Sequence, residues 1–185
     1  MGSAMKDIAK RNLNTEIKAK KTEDKGGGAA VYVRLPSVKP FGDWDFYYID
    51  GDLRWAPPQG STLPPVRVPK GFACDLASVP QLFWGINPPT GRYAYAAIIH
   101  DYLFWVQTTT IEVANQILYQ AMRDAGTAEA TVKRFQIGVG IGGQKAWDNN
   151  RTAKKNGEKR VLRQFPTDPL ISWKEWKAKP GVFVD

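Results

Sequence analysis

A chain of 185 residues that is 43% hydrophobic can bury one respectable core, and its single cysteine excludes both a disulfide framework and a thiolate zinc cluster. The formal charge of +8 lies at the ends: residues 1–28 hold seven Lys/Arg against four Asp/Glu, residues 145–185 ten against five, and residues 29–144 nine of each. No apolar run reaches the roughly 20 residues of a membrane helix, and the polar start MGSAMKDIAKRN has no apolar signal core, so a soluble chain without a membrane span is expected.

Residues 1–28 form a basic N-terminal arm, poor in large apolar side chains and closed by three glycines. Alone in solution such a segment is expected to be disordered, apart from a short helix around Ile8 to Ile17. From Ala29 to Phe72 the pattern is β. AAVYVRL and WDFYYI are followed by Asp50-Gly51, read as a hairpin turn, then by DLRWA, the proline-rich loop PPQGSTLPP and VRVPKGF. These make a small antiparallel sheet.

The second half reads as three helices, in GRYAYAAIIHDYLFW, TTTIEVANQILYQAMRDAG and TAEATVKRFQIGVGIGGQKAW. Thr109 and Glu112 have the spacing of a capping box for the middle helix, and Gly126 stands where its C-terminal glycine belongs. An α+β domain over residues 29–147 follows, with about three helices on the sheet and extended arms at both ends. Residues 148–185 are a basic C-terminal extension, whose Phe165, Trp173, Trp176 and Phe183 need a surface in their own domain or on a neighbour.

The basic ends set one functional limit. A groove that tracks a phosphate backbone is lined by basic residues on the folded body, interleaved with aromatics. Here the body is neutral, so the ends read as solvated tails or as arms that dock on an acidic neighbour, and specific nucleic-acid binding is not expected.

Two stretches are dense in reactive groups: GFACDLASVPQLFW, and HDYLFW with the chain's only histidine. Cys74 and Ser78 are the available nucleophiles, His100 the base and Asp75 the carboxylate that would orient it. Asp101 points about 100° away from His100 on the same helix. Ser78 lacks a GxSxG elbow, and Cys74 lacks a neighbouring cation to activate it. The competing reading is structural. Asp75 would bond nearby backbone N–H groups, Ser78 would cap a helix beginning at Pro80, and a buried His100–Asp75 bond would staple loop to helix. One histidine cannot build a histidine-rich metal site, and no cation loop of recognisable spacing appears. GVGIGG matches GxGxxG but follows helical rather than strand sequence, so no cofactor is expected.

VPKGFACDLASVP, the helix RYAYAAIIHDYLF and the two helices after it resemble the phage and bacterial family known as domain of unknown function 1353, whose pattern is close to VPxGFxTDxASxP followed by AxxxHDxLY. The resemblance covers about residues 30–147 and places the family's recurring polar positions on Asp75, Ser78, His100 and Asp101. Cys74 stands where threonine is usual and Phe104 where tyrosine is common. The family carries no established activity but implies a tailed-phage setting. Two functions are therefore expected. One is a virion-associated structural or adaptor protein, made in the host cytoplasm and docking on other phage structural proteins through Ile8, Leu13, Ile17, Trp173 and Trp176. The other is a hydrolase of cell wall or another polymer that uses Ser78, His100 and Asp75.

Overall fold

The β-rich first half builds two small antiparallel sheets. In the computed structural model, which describes residues 35–76 and 93–184, the strands are β1 (Val38–Pro40), β2 (Tyr47–Ile49), β3 (Leu53–Trp55), β4 (Val66–Val68) and β5 (Ala73–Cys74). One sheet has the order β1-β2-β5, with Lys39 opposite Tyr48 and Tyr48 opposite Ala73. The other is β3-β4, joined by the proline-rich loop, with Arg54 opposite Arg67.

Asp50-Gly51 is therefore not a hairpin turn, because the strands on either side of it lie in different sheets. A two-residue type I′ turn needs positive φ at both central positions, and neither residue has it. The side chains decide the matter. Asp50 accepts the Ser37 N–H at 2.9 Å and faces Lys39 Nζ at 3.3 Å, which ties it to β1. Asp52 takes two N–H groups of Arg67, at 2.9 and 2.6 Å, and the Lys70 N–H at 3.0 Å, which ties it to β4. The chain changes sheets between these two carboxylates.

Among the described residues four helices follow: α1 (Ala94–Val106), α2 (Ile111–Asp124), α3 (Glu129–Lys155) and α4 (Trp173–Lys177). The molecule is α+β. α1 is apolar nearly all round because it lies in the middle, between the sheets and the other two long helices. α2 buries the stripe Ala114, Ile117, Leu118, Ala121 and Met122. Its N-cap is Thr110, whose hydroxyl accepts the Val113 N–H at 3.3 Å, one residue later than the spacing of Thr109 and Glu112 suggests. Gly126, with φ +72°, ends α2: its N–H reaches Arg123 O and the Thr127 N–H reaches Met122 O, the bonding pattern of a Schellman cap.

α3 buries Val132, Phe135, Val139, Gly143 and Trp147 against α1 and α2. It runs eight residues past Trp147, into the basic C-terminal extension, since no breaker intervenes before Gly157 at φ +85°. Lys154, in its last turn, donates to Val106 O at the end of α1. The GVGIGG motif lies wholly inside this helix. Gly143 faces the core, where a Cβ would meet Phe104 and Ile111. None of the described helices is long and apolar enough to cross a membrane.

The C-terminal extension is not an extended arm. On the three-stranded sheet, Ile49, Phe72 and Cys74 join the core beneath the helices, while the alternating residues Tyr48 and Ala73 face the other way. Residues after α3 cover that second face. Ala73 donates to Arg160 O at 2.7 Å and Leu162 to Gly71 O at 2.9 Å, with bridges from Phe72 to Val161 and from Leu162 to Phe183. Gly71, with φ +86°, permits the approach, because a Cβ there would sit 2.5 Å from Leu162 O. Trp173 and Trp176 are 4% and 7% exposed. Trp173 stacks on Phe46 at 4.7 Å and meets Phe41 and Phe183 edge-on. The expectation that these tryptophans grip a partner is thus corrected: their own sheet needed a cover, and they supply it.

Candidate functional site

The two motif-bearing stretches meet where β5 packs against α1. β5 ends at Cys74, Asp75 follows, and Leu76 turns the backbone at φ +53°. Cys74 is fully buried. Burial, and then the negative fields of Asp101 and Asp75, push its thiol well above the usual cysteine range, with Arg160 opposing weakly. Both carboxylates therefore act on one sulfur, and the thiol stays protonated. Burial and these negative fields both work against a cysteine nucleophile.

His100 sits one residue before Asp101 on α1 and faces a different element, as their 100° separation requires. The ring is 2% exposed. Its Nε2 lies 2.8 Å from Asn115 Oδ1 on α2, and its plane tilts against the Phe104 ring at 4.0 Å. Burial lowers its pKa from 6.5 to about 4, against the opposing effect of the Asn115 bond. An amide oxygen only accepts, so the neutral imidazole carries its proton on Nε2 and keeps a lone pair on Nδ1. The polar link at Nε2 thus joins α1 to α2.

Asp75 is half-buried and Asp101 is 8% exposed. Ser78, Pro80, Ile8, Leu13 and Ile17 lie outside the described residues. Among the described residues no three of His, Cys, Asp and Glu converge as a metal site would require.

Two contributors escape sequence reasoning. Asn115 reads as one more polar residue on an amphipathic helix, and only the packing of α2 on α1 brings it to His100. Arg160 belongs to a stretch read as solvated, yet its guanidinium lies between the rings of Trp105 and Phe46, at 4.6 and 5.4 Å, and pairs with Glu158 at 2.8 Å. The density of tryptophan in a basic segment was the available signal.

Residues 51–139 match the family described as Protein of unknown function (DUF1353). This stretch belongs to the DUF1353 family. The DUF1353 region holds β3 to β5, α1, α2 and the first part of α3, so Cys74, Asp75, His100, Asp101 and Asn115 lie within it and Arg160 does not. The chain is 34% identical over 82 residues to "Uncharacterized protein y4jT" of Sinorhizobium fredii (strain NBRC 101917 / NGR234), a match covering 43% of this chain and 24% of that protein. The chain thus spans about a quarter of the length of this curated relative. No solved structure matches it.

Proposed function

We propose that the protein is a virion-associated structural or adaptor protein of a tailed phage, made in the host cytoplasm, which docks on other phage structural proteins. One contrast carries this reading. Cys74, His100 and Asp101 are buried, whereas Ile137 and Ile141 stand 63% and 85% exposed on the outer face of α3. Contiguous apolar side chains in water favour a covering surface. The basic arm, with Ile8, Leu13 and Ile17, supplies the remaining anchors now that Trp173 and Trp176 belong to the body. The test is deletion of residues 1–28. The truncated chain keeps the melting temperature of the full chain and no longer enters particles; normal incorporation would sink the reading.

A second reading, hydrolysis of cell wall or another polymer, is favoured by the Asn115 bond, which holds a neutral imidazole in one tautomer with Nδ1 as its base atom. Asp75, Ser78 and Asp101 would complete that site. His100→Gln keeps a donor for Asn115 and removes the base. A wall-degrading activity present in the wild type and lost in this variant, at unchanged melting temperature, selects the hydrolase.

A further inference from the structure

We propose that copies of this chain associate head to tail, the tip of the β1–β2 hairpin of one copy docking on the outer face of α3 of the next. Among the described residues five large apolar side chains stand exposed, and four of them fall into two pairs. Ile137 and Ile141 lie one turn apart on α3. Trp44 and Leu170, 49% and 80% exposed, belong to the hairpin tip and to the loop that reaches it. Gly42 joins these two, since its N–H donates to Ile171 O at 2.7 Å and a Cβ there would collide with the Leu170 carbonyl. Trp44 has φ +61°, a backbone region that bulky residues rarely occupy. A strained tip that keeps a tryptophan half in water has a use where another surface takes the ring.

Charge selects the surface. Lys133, Ile137, Ile141 and Lys145 are spaced four apart and form one ridge of α3, with Arg134 beside it. The acids of that helix, Glu129 and Asp148, already pair with Arg123 and Arg151. The tip has the opposite sign: Asp43 and Asp45 flank Trp44, and Asp168 lies two residues before Leu170. Among the described residues none of these three acids forms an ion pair, and neither do Lys133, Arg134 and Lys145. An acidic apolar tip complements a basic apolar ridge, whereas two ridges or two tips would set like charges against each other. The chain's charge of +8 opposes contacts between copies in general, so unlike patches are what can bring them together.

The layers of the fold decide the kind of contact. Gly42 and Leu170 belong to the cover on one face of the three-stranded sheet, and the helices pack on the other, α3 against α1. One molecule therefore cannot close its tip onto its own ridge, and a docked copy leaves its own ridge open to a third. Such a contact is heterologous and propagates into a ring or a filament. Two apolar side chains on each surface make a smaller contact than the roughly 800 Å² per partner of a stable pair, so each step is weak and assembly grows with concentration. This rests on the assembly reading of the α3 face and names a second copy as its occupant.

The experiment is sedimentation velocity on the full chain. As concentration is raised into the high micromolar range, the wild type should form species larger than a dimer. Trp44→Gly/Leu170→Ser, in which glycine suits φ +61°, and Ile137→Glu/Ile141→Glu should each stay monomeric at the wild-type melting temperature. Mixed in equal amounts they should form a heterodimer that grows no further, because the intact tip of one meets the intact ridge of the other. If the glutamate variant fails to fold, exposed charges decide: Lys133→Glu/Lys145→Glu and Asp43→Lys/Asp45→Lys should be monomeric apart and assemble like the wild type when mixed. A wild type that is monomeric at every concentration overturns the proposal, as does a mixture that stays monomeric. So does self-association that persists in one variant alone, which would mark a ridge-to-ridge or tip-to-tip contact. Failure here is separable from failure of docking on other phage proteins. Head-to-tail assembly of the isolated chain, with normal incorporation of the chain lacking residues 1–28, sinks that docking and leaves this contact standing; a monomeric wild type whose truncation blocks incorporation does the reverse.

Discussion

A buried imidazole makes stability depend on pH, and at His100 the sign can be worked out. Its pKa falls from 6.5 to about 4 on folding. Between these values the unfolded chain binds a proton that the folded chain refuses, so stability rises with pH across the window and is lost as pH falls from 6.5 toward 4. The full loss is roughly 3 kcal/mol. Paired denaturant titrations at pH 7 and pH 4 should show the wild type losing about that much more than His100→Gln; parallel losses would mean that water reaches the ring. At this scale the sequence was partly legible. It read His100 as a buried group in a staple between loop and helix, and the ring is 2% exposed. It did not indicate which atom His100 bonds, because Asn115 is fifteen residues away and arrives only through helix packing.

Elements follow local rules until a side chain finds a better long-range partner. The strands around Asp50-Gly51 were legible as strands, and their pairing was not, because Asp50 and Asp52 bind groups 13 to 18 residues away in opposite sheets. Helix ends obey nearer partners, and both ends of α2 were read to within a residue. Thr110→Ala should cost about 1 kcal/mol through the lost cap on Val113, while Thr109→Ala should cost close to nothing. Gly126→Ala forces an L side chain to φ +72° and should cost roughly 1 to 2 kcal/mol. Urea midpoints of the three variants check the order; an equal loss at Thr109 would move the cap back to that residue.

The whole molecule is organised around a three-stranded sheet that needs cover on both faces, and charge hid half of that cover. Residues 145–185 carry ten Lys/Arg, yet their large apolar side chains lie inside: Leu162, Trp173, Trp176 and Val182 form one cluster with Phe41, Tyr48 and Ala73. Lysine and arginine leave their charge in water while their stems and neighbours pack, and Lys177 and Lys179 do this over Trp173 and Trp176. Net charge by segment therefore could not tell an arm from a lid. The two ends of the chain should respond oppositely to truncation. Removing residues 157–185 uncovers Phe41 and Tyr48 and strips Ala73 of its partner Arg160 O, so the shortened chain should bind a hydrophobic dye and lose its cooperative thermal transition. Trp173→Ala alone should cost about 3 to 5 kcal/mol, because the large cavity it leaves lies between Phe41, Phe46 and Phe183. A C-terminally truncated chain that still melted sharply at the full-length temperature would show that the sheet's second face does not depend on this cover, and would return the extension to the status of an arm.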